Sequence, residues 1–132
     1  MTIAEVSKAY DITADTLRYY ERVGLIPPVP RTPGGIRDYD EASCKWIELM
    51  KHLRAAGVQI EALVEYTALA QQGEETQGQR KTILLEQRTQ LEQRIAEMQQ
   101  SLERLNKRLE WYDRCEGCTI NRIRELEQQR KG

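Results

Sequence analysis

Residues 13–39 of the chain read TADTLRYYERVGLIPPVPRTPGGIRDY, and the rest of the sequence is organised around this stretch. Its first half predicts a short helix. Thr13 is a favourable helix cap, Asp15 complements the positive end of the helix dipole, and Gly24 is the residue type that often ends a helix. The side chains that this helix is expected to carry on its surface are Arg18, Tyr19, Tyr20 and Glu21.

The second half of the stretch predicts a small hairpin, called the wing below (residues 29–39). Prolines cannot lie inside a helix, and Gly34-Gly35 supplies the positive φ angles of a tight turn. Two short strands are expected near residues 29–31 and 36–39. They would place two arginines and a tyrosine on a rim suited to a phosphate backbone. These residues are Arg31, Arg37 and Tyr39. A rigid linker is the alternative, and it leaves their clustering unexplained.

Upstream of this stretch, Thr2 and Glu5 have the spacing of a capping box, in which each side chain satisfies the other's free backbone donor. A helix is therefore predicted to run to about residue 9, with Ile3 and Val6 buried. Together with the helix described above, it matches the helix-turn-helix pattern. An ordinary helical hairpin is the alternative for this stretch alone.

Two more helices are predicted before the clearest boundary in the sequence. Asp40 is expected to cap a helix over residues 41–56, whose apolar side chains recur at helical spacing. A fourth helix should follow over residues 60–71. Residues 73–78 are polar and contain two glycines, which is typical of a linker. The first domain is therefore predicted to span residues 1–72.

Residues 79–115 contain neither glycine nor proline and carry an apolar heptad pattern. A stripe this narrow does not stabilise a long helix by itself, so the helix needs a partner. A second copy of the chain is the simplest partner and gives a two-fold dimer. We therefore predict a dimerisation helix over residues 79–116 and a C-terminal effector-region tail over residues 117–132. The predicted interface positions are Leu91, Ile95, Met98, Leu102, Leu105, Leu109 and Tyr112.

The composition limits the classes of protein that the chain fits. With 39% hydrophobic and 31% charged residues and a mean hydropathy of -0.71, the chain is too polar for one compact globule. No apolar run is long enough to cross a bilayer, and the first residues lack the features of a signal peptide. We expect a cytoplasmic protein with no membrane partner and with cysteines kept mostly reduced.

The charge balance by itself does not indicate a nucleic-acid binder. The net charge is -1, and residues 1–72 contain eight Lys and Arg against ten Asp and Glu. Proteins that bind nucleic acid usually show a basic surplus. A positive surface must therefore come from the arrangement of individual arginines on one face. The candidates are Arg18, Arg22, Arg31 and Arg37.

Three motifs together resemble those of the MerR family of bacterial transcription regulators. They are TLRYYE-x-x-GLIPP, then R-x-P-x-G-x-R-x-Y across the wing, and LR-x-x-G at the end of the third helix. The resemblance implies a mainly α fold, with a winged helix-turn-helix DNA-binding domain followed by a long antiparallel coiled-coil dimerisation helix. It also implies a homodimer that binds a near-palindromic promoter spacer and distorts double-stranded DNA for RNA polymerase.

The resemblance also assigns DNA contacts by position. The expected contact residues are Thr13, Arg18, Tyr19, Arg31, Arg37, Tyr39 and Arg54. Thr13 lies at a helix N-terminus, which suits a phosphate. Ile36 departs from the family, since many members carry an aromatic residue at this position of the wing. DNA binding requires no cofactor in this interpretation.

No large ligand-binding domain follows the long helix, so a small effector is expected at cysteine residues. Cys115 and Cys118 form a C-x-x-C pair that can bind a soft metal ion or close into a disulfide as a redox switch. A pair with no sensory role is the third alternative. Metal-sensing relatives space these cysteines more widely and carry another one near residues 74–80, which have none here. Cys44 is the third effector candidate, although a lone cysteine in a helix is more often a small buried hydrophobe. Thiol-responsive relatives carry a cysteine at the position held here by His52.

The sequence therefore predicts a dimeric, DNA-binding transcription regulator that activates in response to a small thiol-reactive or metal effector. An enzyme is disfavoured because no nucleophile, base and orienting residue come together on these helices. The alternative class is a coiled-coil interaction protein that keeps the winged fold without using it on DNA.

Overall fold

The computed structural model describes residues 1–115 and 117–131, and its regular structure is helical. The helices are α1 (Ile3–Tyr10), α2 (Ala14–Val23), α3 (Glu41–Ala55), α4 (Ile60–Gln72), α5 (Gln77–Cys115) and α6 (Cys118–Lys131), with a 3-10 turn at Glu74–Thr76 before α5. In these two ranges the pairing of extended backbone is limited to one isolated antiparallel bridge, between Arg31 and Arg37. The predicted mainly α fold is confirmed.

The helix ends follow the capping residues that the sequence contains. The backbone N–H of Glu5 donates to Thr2 Oγ1 over 3.2 Å, and the N–H of Thr2 donates back to Glu5 Oε1 over 3.1 Å. Thr13 caps α2 and Asp40 caps α3 in the same way, each accepting from the backbone three residues ahead. Each cap satisfies a backbone donor that the helix leaves free.

The turn between α1 and α2 makes the helix-turn-helix compact. Asp11 adopts a left-handed conformation with φ 53°, which lets the chain reverse within a few residues. Ile12 follows and is buried. Gly24, with φ 86°, ends α2 and turns Leu25 and Ile26 into the core.

A hydrophobic core holds α1 to α4 and the wing together. Its fully buried side chains include Val6 from α1, Leu17 from α2, Ile47 and Met50 from α3, and Leu63 from α4. One or two apolar residues from each short helix are enough because they meet at a common centre. This core fixes the position of α2 relative to the other three helices.

The wing is less regular than the sequence predicts, since a single bridge replaces the two expected strands. The N–H of Thr32 donates to Ile36 O and the N–H of Asp38 donates to Pro30 O, each over 2.7 Å. Pro30 and Pro33 have no N–H to donate, so the ladder cannot extend further. Gly35 supplies the predicted positive φ, 84°.

Packing divides the chain into two compact units, Met1–Gln90 and Leu91–Gly132. The first unit includes the beginning of α5, whose Ile83 and Gln87 are buried on one side of the helix. The polar segment 73–78 is folded: Thr76 is buried, and its hydroxyl lies 2.7 Å from the carbonyl oxygens of Leu69 and Gly73. The predicted boundaries at residues 72 and 79 stay predictions.

The apolar heptad positions of α5 are uncovered in the single chain. Their exposed fractions are 56% for Ile95, 72% for Met98, 50% for Leu102, and 57% for both Leu105 and Leu109. Leu91 is half-buried, and Tyr112 is 39% exposed. Apolar residues in a row at this exposure are unusual on a monomer and mark an interaction surface.

Among the residues described, none of the helices has both the length and the apolar content that crossing a membrane requires.

Candidate nucleic-acid interface

Helix α2 separates its side chains into a buried face and an exposed face. Leu17 and Tyr20 point into the core, so the prediction that Tyr20 lies on the surface is wrong. Their spacing of three residues places both on the side that packs against the rest of the unit. Arg18 is exposed, and its guanidinium contacts the carboxylate of Asp15 over 3.0 Å. An ion pair this exposed contributes little stability, so Arg18 remains available to a ligand.

The same exposed face carries an aromatic residue under a cation. The guanidinium carbon of Arg22 lies 5.5 Å from the centre of the Tyr19 ring, within the range of a cation–π contact. This contact holds the half-buried Tyr19 against the helix surface. At the beginning of α2, Thr13 Oγ1 accepts from the backbone N–H of Thr16 and donates to its hydroxyl. Thr13, Arg18 and Tyr19 therefore all lie on or beside α2.

Glu21 joins α2 to the wing, a role that the sequence analysis did not identify. Its carboxylate accepts from Arg37 Nε over 2.6 Å and from the backbone N–H of Val29 over 2.7 Å. The Glu21 side chain is only 12% exposed, against its predicted surface position. Burial raises the pKa of Glu21, but the bonds from Arg37 and Val29 outweigh it, so the pKa is lowered overall. The wing is therefore held to α2 by one shielded carboxylate.

Tyr39 is part of the core, although the sequence predicted it on the rim of the wing. The residue is 1% exposed, and among the residues that the structure describes its hydroxyl has no hydrogen-bond partner. Burial raises the pKa of Tyr39, while the positive charges of Arg37, Arg18 and Arg31 lower it and Glu21 raises it. Arg37, Arg18 and Arg31 therefore lie close enough to the phenol for their charges to act on it. Of the four arginines that the sequence analysis places on one face, three act on this phenol, and the fourth, Arg22, lies over the Tyr19 ring.

Arg31 and Arg54 each use part of the guanidinium to fix a loop. Arg31 donates to Gly35 O over 3.0 Å, across the wing. Arg54, in the last turn of α3, donates to Val58 O over 2.7 Å, beyond the end of that helix. Both residues remain exposed. Each of these arginines therefore holds a loop by one hydrogen bond while its side chain stays exposed to solvent.

The cysteines lie in two different settings. Cys44 is buried at the beginning of α3 with its sulfur 4.0 Å from Met1 Sδ, as expected of a small apolar side chain. Burial and the neighbouring Cys44 raise the pKa of Tyr10. Cys115 and Cys118 form a disulfide across the end of α5 and the beginning of α6, with Cα atoms 5.3 Å apart.

The metal site that the sequence suggests at Cys115 and Cys118 has few ligands. Within residues 1–115 and 117–131, no three His, Cys, Asp or Glu side chains are grouped in a way that would hold a metal ion. A disulfide has no thiolate to give, and the reduced pair of Cys115 and Cys118 supplies two ligands against the four of a structural zinc site. The residues present fit a thiol–disulfide pair and do not fit a closed metal centre.

Taken together, the helix-turn-helix and the wing held to α2 by Glu21 define a DNA-binding protein of the winged helix-turn-helix class. Comparison with known families gives the same answer. The profile described as "MerR HTH family regulatory protein" matches residues 1–69, and the profile described as "MerR, DNA binding" matches residues 45–108. The chain belongs to the MerR family, whose members are transcriptional regulators and not enzymes.

Individual relatives support the family assignment along most of the chain. The regulator AdhR of Bacillus subtilis is 58% identical over 91 residues, which cover 69% of this chain and 65% of AdhR. The regulator ZntR of Escherichia coli K12 is 36% identical over 108 residues, covering 79% of this chain and 77% of ZntR. The chain therefore spans slightly less than two thirds of AdhR.

Two crystal structures are similar in fold to the whole chain or most of it. A MerR family regulator from Listeria monocytogenes is 38% identical with a TM-score of 0.79, and the match covers 98% of both chains. HiNmlR is described as a MerR family regulator that lacks the sensor domain and is bound to promoter DNA. It is 26% identical with a TM-score of 0.72, covering 88% of this chain and 92% of HiNmlR.

The burial of Tyr39 generates a prediction about its hydroxyl. Tyr39→Phe should raise the free energy of unfolding by about 1 kcal/mol, because it removes a buried polar group without a partner. The affinity for DNA should stay the same, since the hydroxyl is shielded from solvent. Thermal unfolding and DNA titration of the purified variant measure the two effects. A loss of affinity would mean that the hydroxyl meets DNA after a local rearrangement.

The Glu21 contacts generate a prediction about pH. Because the pKa of Glu21 is lowered by folding, its carboxylate contributes stability above the unfolded pKa, and this contribution is lost as the pH falls through the folded pKa. Glu21→Gln should therefore lower the free energy of unfolding by about 1–3 kcal/mol at neutral pH. The difference from the parent should shrink below about pH 4.

Urea unfolding of both proteins across this pH range measures the difference. Glu65→Gln is the matched control, because it removes an exposed carboxylate from α4. It should leave the free energy of unfolding close to the parent value throughout. A Glu21→Gln deficit that is independent of pH would contradict an electrostatic role for this carboxylate.

Proposed function

We propose that the protein is a homodimeric transcription activator that binds a near-palindromic promoter spacer and distorts it for RNA polymerase. The observation that carries this proposal is the attachment of the wing to α2 through Glu21, with Arg18 exposed on α2 and Arg31 exposed on the wing. It is supported by the similarity to HiNmlR, which is bound to promoter DNA. The protein would act in the cytoplasm, on the bacterial nucleoid.

Positive charge on this surface is local, which suits contact with phosphates in a chain of net charge -1. Arg18 and Tyr19 would enter the major groove or meet its backbone from α2. Arg31 and Arg37 would contact phosphates from the wing, and Arg54 from the end of α3. Such contacts fix the position of a protein on the duplex and make its affinity depend steeply on salt. Thr13 would contribute the N-terminal end of α2, which favours a phosphate.

The exposed heptad positions of α5 support the dimer. Each apolar side chain that leaves water on pairing contributes roughly 1.5–3 kcal/mol when burial is complete, so several of them offset the entropic cost of association. A two-fold dimer presents two copies of α2 to successive major grooves and therefore requires a near-palindromic site. Distorting the base pairs between them costs on the order of a few kcal/mol, which phosphate contacts from both wings must offset.

For the effector we propose an oxidant that acts on Cys115 and Cys118. A thiolate of the pair attacks one oxygen of a peroxide and forms an S–O bond while the O–O bond breaks, which gives a sulfenic acid. The other oxygen leaves as hydroxide or alkoxide and takes up a proton to become water or an alcohol. The second thiol displaces water from the sulfenic acid and closes the disulfide. The two thiols together lose two electrons and two protons to the peroxide. In the closed pair the Cα atoms lie 5.3 Å apart, within the usual range for a disulfide.

A soft metal ion bound by the reduced pair is the alternative effector. Two thiolates can hold such an ion linearly or provide half of a tetrahedral site. The other half would have to come from outside the pair, and residues 74–80 contain no cysteine. The oxidant therefore ranks above the metal.

The DNA surface is tested by titrating a duplex that the purified protein selects from a random-sequence pool. Arg18→Ala should weaken binding and reduce the slope of log affinity against log salt by about one unit, because one phosphate contact is lost. Arg122→Ala is the control: it removes an equal charge from the ion pair with Glu125 on α6. A pool that yields no duplex would favour the alternative class, a coiled-coil interaction protein that does not use DNA.

The switch is tested by transcription with purified protein, first reduced and then treated with hydrogen peroxide or with a panel of soft metal ions. Peroxide should change transcription from the selected site, and Cys115→Ser and Cys118→Ser should each abolish that change. Cys44→Ser is the matched control, because Cys44 is buried and lies apart from the pair in sequence. A response that survives in both serine variants would exclude the disulfide as the switch, whereas a response to metal alone would select the alternative effector.

A further inference from the structure

Gln87 is a buried polar residue of α5 that reaches the beginning of another helix. Only 8% of the residue is exposed, and its Oε1 accepts from the backbone N–H of Gln59 over 3.2 Å. Gln59 is the N-cap residue of α4, and its own side chain makes no capping bond. The first backbone donors of a helix need partners from elsewhere. At α4 one such partner comes from α5.

The peptide group that Gln87 holds is also held from its other side. The N–H of Gln59 and the carbonyl of Val58 belong to one peptide group. Arg54 donates to that carbonyl oxygen over 2.7 Å, so Gln87 and Arg54 grip opposite ends of the same amide. Because a peptide group is planar and rigid, turning one end turns the other. Hydrogen bonds at both ends of an amide also strengthen each other.

The loop that carries this peptide group is anchored on its N-terminal side. Gly57 precedes Val58 with φ 86°, a left-handed conformation that glycine adopts without strain. The N–H of Gly57 donates to Arg54 O and that of Val58 to Leu53 O, which is the Schellman arrangement at the end of α3. Val58 itself is buried, so the side chain anchors the loop while the peptide group that follows is fixed by its two hydrogen bonds.

We infer that Gln87 is a positioning residue for DNA binding: it sets the orientation of the Val58–Gln59 peptide group and thereby the direction of the Arg54 guanidinium. This inference rests on the proposed role of Arg54 as a phosphate contact. Gln87 lies in the same helix as the heptad positions of the predicted dimer seam. This series of contacts, from Gln87 through the Val58–Gln59 peptide group to Arg54, is called the relay below. It gives α5 direct control over one of the proposed phosphate contacts.

A double-mutant cycle on DNA affinity tests the relay, because residues that act through a shared contact have non-additive effects. Gln87→Met keeps the length of the side chain and removes the acceptor. It should weaken binding about fivefold, as expected for the loss of one hydrogen bond. In an Arg54→Ala background the same substitution should have no further effect. In an Arg18→Ala background, Gln87→Met should again weaken binding about fivefold, so that the fold losses of the two substitutions multiply.

Two further variants separate positioning from simple folding. Gln87→Glu keeps an acceptor oxygen and places negative charge at the positive end of α4, so it should restore the affinity. Gln59→Pro removes the donor instead of the acceptor, and the φ of -69° at this position suits proline. In the Gln59→Pro background, Gln87→Met should cause no further loss of DNA affinity. Gln90→Met, on the exposed side of α5, is the matched control and should bind as the parent does.

Hydrogen exchange provides a readout that does not depend on DNA. The Gln59 amide should lose protection in Gln87→Met and keep it in Gln87→Glu and Gln90→Met. Equal losses of affinity from Gln87→Met with and without Arg54, or unchanged Gln59 exchange, would overturn the relay. If Arg54→Ala alone left affinity unchanged, the phosphate contact of the proposed function would be wrong and the relay would fall with it. Loss of Gln59 protection would then show that Gln87 caps α4 without acting on DNA.

Discussion

The ion pair between Glu21 and Arg37 is the contact on which the arrangement of α2 and the wing depends. The wing has only one backbone bridge of its own, because two of its residues are prolines. Its attachment to α2 must therefore come from side chains, and Glu21 supplies it by binding both a guanidinium and the N–H of Val29. Arg37 uses Nε for this contact, and its side chain stays 24% exposed.

The positive charge of the proposed DNA-binding surface comes mainly from arginines other than Arg37. Glu21 offsets part of the charge of Arg37 inside the protein, where the two are shielded from water. Arg18 on α2 and Arg31 on the wing are both exposed, and their charges reach the buried Tyr39. Local arrangement of arginines therefore takes the place of a basic surplus in the chain as a whole.

Helix α5 combines two kinds of surface that serve different purposes. Its later heptad positions are apolar and exposed, which suits a partner helix, while Ile83 and Gln87 are buried in the first unit. Gln87 is a buried polar residue, and the hydrogen bonds of such a residue specify one geometry. At α4 the specified geometry is that of one peptide group, which Arg54 also holds. The helix thus joins the DNA-binding unit through a directional bond as well as through apolar packing.

The sequence by itself determined the local structure: the caps at Thr2, Thr13 and Asp40 fixed where helices begin, and the order of the motifs fixed the family. Short-range rules suffice there, because each cap acts on backbone three residues away. Tertiary structure alone decided that Tyr20, Glu21 and Tyr39 turn inward, that the wing has one bridge, and that Gln87 meets Gln59. These features depend on contacts between segments distant in sequence, whose geometry follows from how the helices pack around a common core and not from any local pattern.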